Sequence, residues 1–172
     1  MITRHHQSEA STSTAIYSDC ERYRYALTRV WDASLPKLGY IMLNPSKATE
    51  MQNDPTVERC ERRARALGYG AFRVTNIFGW RETDPHKMRK VADPVGPQND
   101  TALTDLMTWA DLVIAGWGTH GVHLEQGPKA GRLLHATGRP IYCFGLTKDG
   151  HPRHPLYVAY RQEPVIWSDP IR

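Results

Sequence analysis

The sequence predicts an α/β protein in which a largely parallel sheet is covered by helices. Short apolar runs alternate along the chain with helix-like segments, in the order strand, helix, strand, helix, strand, helix, strand. Two of the apolar runs end abruptly in polar residues, at Asn44-Pro45-Ser46 and at Asn76. In open α/β sheets the carboxyl ends of the strands are where ligands bind, so these residues predict a site there.

The first part of the chain divides into a polar segment and a strand-like segment. Residues 1–14 contain His5-His6 and a Ser/Thr cluster, which favours a flexible tail, and we expect a single domain over residues 15–172. Residues 15–31 contain several aromatic and apolar side chains, and the alternation from Tyr23 to Leu27 favours a strand or hairpin. Residues 40–43 are apolar and predict a short buried strand.

The middle of the chain carries clear helix signals. Asp54 followed by Pro55 predicts a helix start, with Asp54 as the N-cap, and the helix is expected over 56–67 with a stop at Gly68 or Gly70. Residues 72–76 predict a strand. Residues 79–98 are rich in Pro, Asp, Lys and Arg, which indicates a long loop with about one helical turn.

The last part repeats the strand and helix alternation. We expect Asn99 or Asp100 to cap a second helix that ends before residue 111. Strands are predicted at 112–115 and 141–144, with a helix near 128–137 between them.

Composition narrows the class of protein. The chain has 172 residues, 40% apolar and 23% charged, as in an ordinary globular domain. No apolar run approaches the ~20 residues of a membrane span, and the polar N-terminus does not resemble a signal peptide, so we expect a cytoplasmic protein without a membrane partner.

The three cysteines lack paired spacing, which predicts neither disulfides nor a metal site. A net charge of +4 is compatible with nucleic-acid binding.

Candidate catalytic residues follow the predicted strand ends. Asn44 can orient a water molecule or bind a heterocycle, and His154 can donate a hydrogen bond to a developing oxyanion. Pro155 and the apolar residues after it favour His154 over the nearby His151, which remains the alternative. Asp54 and Asp149 are the candidate general bases, although Asp54 also suits a helix cap and Asp149 a turn.

A second group of residues suits nucleobase and phosphate binding. An asparagine amide can pair with a base edge, which is the role expected of Asn76, and aromatic rings can stack on bases. The expected substrate-binding residues are Pro45, Ser46, Asn76, Phe78, Trp80 and Thr147, with Trp117 as a further stacking surface. The expected nucleic-acid-binding cations are Lys47, Arg81, Lys148 and Arg153.

Residues 116–121 spell Gly-Xaa-Gly-Xaa-Xaa-Gly directly after a predicted strand. The pattern is formally a dinucleotide fingerprint, but that fingerprint opens the first βαβ unit, and here one predicted strand remains after it. No acidic residue closes that strand at the expected point. Tight packing of a helix on a strand is therefore the preferred explanation of these glycines.

The ordered motifs resemble the uracil-DNA glycosylase superfamily over roughly residues 38–157. Leu43-Asn44-Pro45-Ser46 is similar to the asparagine form of motif A, the strand ending at Asn76 is similar to the base-reading strand, and His154-Pro155 resembles the start of motif B. The chain is closer still to a bacterial family of uncharacterised proteins with Asn-Pro-Ser and His-Pro-Leu-Tyr motifs. It departs from the superfamily in lacking a motif A carboxylate, the usual motif B serine and the iron–sulfur cysteine spacing.

The resemblance implies a three-layer α/β/α sandwich with a central four-stranded, mostly parallel sheet, and an N-glycosylase that hydrolyses the bond to a modified or deaminated base in DNA. Asn44 would position water, Asn76 would read the base, and His154 would stabilise the departing base. We expect a monomer that acts without a cofactor. The alternatives are a hydrolase of free nucleotides or nucleosides, a non-catalytic binder of modified bases or single-stranded nucleic acid, and a nicotinamide-cofactor protein.

Overall fold

The computed structural model describes residues 1–168, which form a mixed α/β structure. The strands are β1 (Ile2–Gln7), β2 (Thr12–Tyr17), β3 (Arg24–Val30), β4 (Lys37–Met42), β5 (Ala71–Asn76), β6 (Leu112–Ala115), β7 (Tyr142–Cys143) and β8 (Val165–Ile166). The α-helices are α1 (Pro55–Ala66), α2 (Pro85–Met88), α3 (Asn99–Trp109) and α4 (Gln126–His135), and short 3₁₀ helices span Thr119–Glu125 and Pro155–Tyr157. None of these helices is both long enough and apolar enough to cross a membrane.

The described strands form one sheet in the order β1-β2-β3-β5-β4-β6-β7-β8. β5, β4, β6 and β7 are neighbours that run parallel to one another. The three N-terminal strands and β8 join this centre through antiparallel pairings. The expectation of a four-stranded, mostly parallel sheet is therefore wrong, because antiparallel strands extend the sheet at both sides and most of the pairings are antiparallel.

Residues 1–14 do not form the flexible tail that their polarity suggested. They form β1 and the beginning of β2, in a hairpin whose register pairs Ile2 with Tyr17 and Gln7 with Thr12. Alternate residues of β2 are buried, including Ala15 and Tyr17. This period of two is the pattern of a strand with one face on the core.

Helices cover both faces of the sheet and give it two separate cores. Alternate residues of β4 point to opposite faces. On one face Leu38 and Tyr40 join a cluster with Val57 and other residues of α1. On the other face Ile41 joins a cluster that includes residues of α3 and α4. The structure therefore has three layers, with the sheet in the middle.

The two long helices that follow β4 and β5 begin differently. Asp54 is the N-cap of α1 and Pro55 is its first residue, as predicted. The predicted cap of α3 is wrong, because Gln98 occupies the N-cap position without a side-chain hydrogen bond. Asn99 instead uses its side-chain amide to donate to the backbone oxygens of Asn76 and Ile77, at 2.8 and 3.1 Å. These two hydrogen bonds connect the first residue of α3 to the end of β5.

Candidate functional site

A cavity of about 630 Å³ opens at the carboxyl ends of the parallel strands. The loops after β4, β5, β6 and β7 and the first turn of α1 converge there, as expected for an open α/β sheet. The lining residues are Leu43, Asn44, Ser46, Lys47, Asp54, Pro55, Thr56, Glu82, Thr83, Pro85, Trp117, Gly118, Thr119, His120, Thr147, Arg153, His154, Leu156 and Tyr157. The volume lies within the range of small-molecule pockets.

Asn44 lines this cavity at the end of β4. Its Nδ2 donates to the backbone oxygen of Glu82 at 2.6 Å and to that of Pro45 at 3.2 Å. Its Oδ1 forms no hydrogen bond within residues 1–168 and is not among the buried polar atoms that lack a partner. The backbone therefore uses the donor side of the amide and leaves a hydrogen-bond acceptor for a water molecule or a substrate N–H.

His154 also lines the cavity, just before the last 3₁₀ helix. Its Nδ1 accepts a hydrogen bond from the backbone N–H of Leu156 at 3.2 Å. Burial lowers the pKa of His154 to about 4, although the negative charge of Asp54 acts in the opposite direction. The ring is therefore neutral near pH 7, and because Nδ1 is an acceptor, its proton is on Nε2.

The Nε2–H group of His154 has no partner within residues 1–168, and Nε2 is not a fully buried orphan atom. It therefore faces accessible space. A neutral imidazole of this kind acts as a hydrogen-bond donor that is suited to a carbonyl or an enolate-like oxygen. The alternative histidine, His151, is buried outside the cavity, where its Nδ1 accepts from the indole N–H of Trp117 at 3.3 Å.

Asp54 also lines the cavity, but both of its carboxylate oxygens are occupied by backbone donors. One oxygen accepts from the N–H of Val57 at 2.9 Å and the other from the N–H of Ala48 at 3.2 Å. The carboxylate thus joins the start of α1 to the preceding loop. This geometry is that of a helix cap.

Two arginines of β3 hold the loop between β4 and α1. Arg24 is completely buried, donates to the backbone oxygen of Ala48 at 2.7 Å, and has its pKa lowered to about 10 by burial, with Asp54 opposing that shift. Arg29 donates to the oxygens of Thr49 and Gln52 at 2.8 and 3.1 Å and to the side chain of Asn53 at 2.9 Å. The loop between β4 and α1, which begins with Asn44-Pro45-Ser46, is therefore held in place by side chains of β3.

The cations that line the cavity are Lys47 and Arg153. Neither forms an ion pair with another residue of 1–168. Thr147, also predicted as a substrate contact, lies near them in the lining. Both cationic side chains are exposed and can contact an anion, while the carboxylates of Asp54 and Glu82 line the same cavity.

A second, more open depression of about 620 Å³ adjoins the cavity. It shares Ser46, Lys47, Glu82 and Thr83 with the cavity and continues over Glu21, Arg22, Gln52, Trp80 and Arg81. Trp80 and Arg81 therefore lie beside the predicted site rather than inside it. Arg81 donates to the backbone oxygen of Glu21 at 2.9 Å.

Four other predicted contacts do not line the cavity. Asn76 is 2% exposed and faces the interior, with its Oδ1 buried and without a partner in the described chain. Phe78 is completely buried and packs near His123, with ring centroids 5.8 Å apart. Pro45 and Lys148 are not lining residues either. After β5 the chain continues alongside the end of β4, because the N–H groups of Ile77 and Phe78 donate to the backbone oxygens of Met42 and Leu43.

The glycines of residues 116–121 lie against aromatic and proline rings. A Cβ on Gly116 would come within 2.8 Å of Pro155, and one on Gly121 would collide with the indole of Trp117. Gly118 has φ +71°, which favours glycine. A 3₁₀ helix follows instead of the α-helix of a dinucleotide fingerprint. Close contacts with neighbouring side chains therefore explain why Gly116 and Gly121 are glycines. Those neighbours are the rings of Pro155 and Trp117, and not a helix packed on the strand as we expected.

Sequence reasoning missed several lining residues, above all Glu82, Thr83, His120 and Tyr157. Glu82 and Thr83 lie in the loop after β5, whereas His120 and Tyr157 lie in the two short 3₁₀ helices. Thr83 bonds Ser46 through their hydroxyl groups at 3.0 Å, which joins the loops after β4 and β5. For Glu82 and Thr83 the only available signal was the concentration of polar residues in 79–98.

The fold and the site together define an α/β protein with a cavity at the strand ends. The chain belongs to the family described as "Protein of unknown function (DUF1643)", whose model matches residues 24–156. The matched region contains every lining residue of the cavity except Tyr157. No curated protein and no solved structure matches the chain.

Proposed function

We propose that the protein is a nucleobase N-glycosylase that hydrolyses the bond between the sugar and a modified or deaminated base in DNA. The observation that carries the proposal is the neutral His154, whose free Nε2–H shares a cavity with the free acceptor Oδ1 of Asn44. A leaving base develops negative charge on its oxygen, and a neutral imidazole N–H can stabilise that charge.

In the proposed mechanism Asn44 accepts a hydrogen bond from the attacking water and so orients it toward the anomeric carbon. His154 donates to the oxygen of the departing base. Phe78 is buried away from the cavity and does not take the stacking role expected of it, and Trp117, which does line the cavity, is 1% exposed. The finer kinship that we propose is with the uracil-DNA glycosylase superfamily, and the three layers and the run of parallel strands β5-β4-β6-β7 support it.

A polymeric substrate is supported by the open depression next to the cavity. Lys47 borders both spaces, while Arg81 and Trp80 border the depression alone. Cations that follow a groove bind phosphates, and an adjacent indole can stack on a neighbouring base. A base in a duplex would have to flip out of the stack to reach the cavity.

A second candidate function, a non-catalytic binder of modified bases, is favoured by one observation. The carboxylate of Asp54, the predicted general base, is fully used in backbone hydrogen bonds. A binder would hold the base in the same cavity without releasing it.

A base-release assay tests the proposal. Oligonucleotides carrying uracil, hypoxanthine, xanthine or hydroxymethyluracil, single- and double-stranded, would be incubated with the protein and then cleaved by alkali at abasic sites. We expect release from at least one substrate, with activity lost in Asn44→Ala and kept in His5→Ala on the exposed strand β1. Binding without release across the panel would favour the binder, and absence of both would contradict a polynucleotide substrate.

A further inference from the structure

Two carboxylates line the cavity, and they differ in what their oxygens already contact. Asp54 has both oxygens occupied by backbone N–H groups, at 2.9 and 3.2 Å. In Glu82 one oxygen, Oε1, accepts from the N–H of Asp84 at 3.1 Å. Its other oxygen, Oε2, has no hydrogen-bond partner within residues 1–168, and no ion pair involves Glu82. Glu82 is thus the lining carboxylate with a free oxygen.

Glu82 is also fixed to the residue that the proposed function requires. Its backbone oxygen accepts from Asn44 Nδ2 at 2.6 Å, and its backbone N–H donates to Pro45 O at 2.9 Å. The hydroxyl contact between Ser46 and Thr83 adds a third link between the same two loops. These contacts use the main chain of Glu82, so its side chain is left to act in the cavity while its position relative to Asn44 is set.

A carboxylate oxygen beside a bound water is the usual form of a general base, and a loop positioned by a rigid sheet is a common place for one. Glu82 comes from the loop after β5, whereas the expected carboxylate would come from the loop after β4. The parallel arrangement brings both loops to the same edge of the sheet, so either strand end can supply the group.

We propose that Glu82 is the general base that activates the attacking water, an inference that rests on the proposed glycosylase function. Glu82 Oε2 takes a proton from the water that Asn44 Oδ1 orients. The water oxygen forms a bond to the anomeric carbon, the bond from that carbon to the base nitrogen breaks, and its electron pair leaves with the base. His154 stabilises the resulting anion, which then takes up the proton, so the products are an abasic sugar and a neutral free base.

The test compares Glu82→Gln with Glu9→Gln. Both variants remove one negative charge, but Glu9 is exposed between β1 and β2 and lines neither the cavity nor the open depression. The single-turnover rate of base release, the Kd for the same oligonucleotide and the melting temperature would be measured for each. We expect E82Q to release base about 10²-fold more slowly at unchanged or tighter Kd, and E9Q to keep the wild-type rate.

A second variant separates a base from a structural role. Glu82→Ala keeps the main-chain contacts with Asn44 and Pro45, and added formate can replace the missing carboxylate. We expect formate to raise the rate of E82A but not that of the wild type or of E82Q.

Two results would overturn the inference in different ways. A wild-type protein that releases base, with E82Q equally fast or E82A insensitive to formate, would remove Glu82 from the mechanism and leave the glycosylase intact. A wild type that releases no base from the panel would overturn the proposed function and the role of Glu82 together.

Discussion

The proposed chemistry of the cavity depends on the protonation state of His154. Its backbone contact through Nδ1 selects the tautomer, and its burial keeps the ring neutral. A charged imidazolium would cost more to bury and would lose the acceptor that Leu156 requires. The same residue therefore links local geometry, stability and the proposed reaction.

We expect the stability of the protein to fall as the pH drops from about 6.5 toward 4. The folded-state pKa of His154 lies near 4, below its ordinary value of 6.5, so the unfolded chain binds the proton first. Each unit of pKa difference corresponds to about 1.4 kcal/mol. Burial also lowers the pKa of His120, His123 and His151, so the measurement must be a difference between variants. The free energy of unfolding would be measured with urea from pH 4 to 7. It should depend less steeply on pH in His154→Gln than in the wild type. An equal pH dependence in the two proteins would contradict this.

His154→Ala should lower the turnover of the proposed reaction far more than it lowers binding. The lost Nε2–H acts on charge that develops only as the base departs, and the loss of one such donor costs about 10²–10³ in rate. The rate of base release and the Kd would be measured on the oligonucleotide that the wild type cleaves, and both would be compared with those of His5→Ala on β1. An equal loss of rate and affinity would show that His154 serves in binding only.

The sequence was informative about which strand ends carry polar residues, but it did not predict where each side chain points. Asn44 and His154 reach the cavity as predicted, whereas Asn76 faces the interior. In a strand a shift of one residue moves a side chain to the opposite face. The residues around Asn76 do not determine which way its side chain points. The backbone there is held by Asn99 and by the end of β4, which are both distant in sequence.

At the scale of elements, the start of α1 and the loop before it form one structural unit. Asp54 connects them through two backbone contacts, and Arg24 and Arg29 support the loop from β3. The signal of an aspartate followed by proline predicted the helix start, since capping is a local interaction. The arginines could not be predicted as loop supports, because their partners are 20 to 24 residues away in sequence and most of them are backbone oxygens.

Asp54→Ala should reduce the free energy of unfolding by about 1–2 kcal/mol because it removes an N-cap. Asp100→Ala, in the first turn of α3 where no side chain caps the helix, is the matched control and should change it by less than about 0.5 kcal/mol. Equilibrium urea unfolding would measure both. Equal effects of the two substitutions would argue against the cap.

Arg29→Lys should loosen the loop before α1 and cost about 1–3 kcal/mol, because an ammonium cannot reproduce the three directions in which the guanidinium donates. Hydrogen exchange should become faster in residues 48–53. Arg4→Lys on the exposed edge strand should leave that exchange unchanged. Unaltered protection in Arg29→Lys would show that the loop is held by other contacts.

At the scale of the whole molecule, the proposed function requires a positively charged surface around the cavity. Lys47 and Arg153 supply free charge at its mouth, whereas Arg62 on α1 is paired with Glu58 at 2.9 Å. We expect Lys47→Ala to reduce the slope of log Kd against log salt by about 0.7–0.9 for a nucleic-acid ligand. Arg62→Ala is the control, with an unchanged slope. Fluorescence anisotropy over a salt series would measure the slopes, and identical slopes for Lys47→Ala and wild type would exclude a phosphate contact.

The alternation of strands and helices from β4 onward could be read from the sequence, because each element has a strong local pattern. The N-terminal hairpin could not, because β1 exposes most of its side chains and lacks apolar residues at alternate positions. Nor does a local pattern reveal that β3 pairs with β5 rather than with β4, its neighbour in sequence. That choice depends on the combined packing of the helices on both faces.

The pairing of β3 with β5 has a consequence for the protein during translation. Strands β1 to β3 leave the ribosome before β5 and can form a local meander, yet the strand that β3 must join is made only after β4 and α1. Until then β3 presents an open edge, and unpaired edges are sites of misassociation in nascent chains. The N-terminal half of this chain must therefore wait for residues 71–76 before it can enter the sheet, so a truncated chain that ends before β5 would expose that edge permanently.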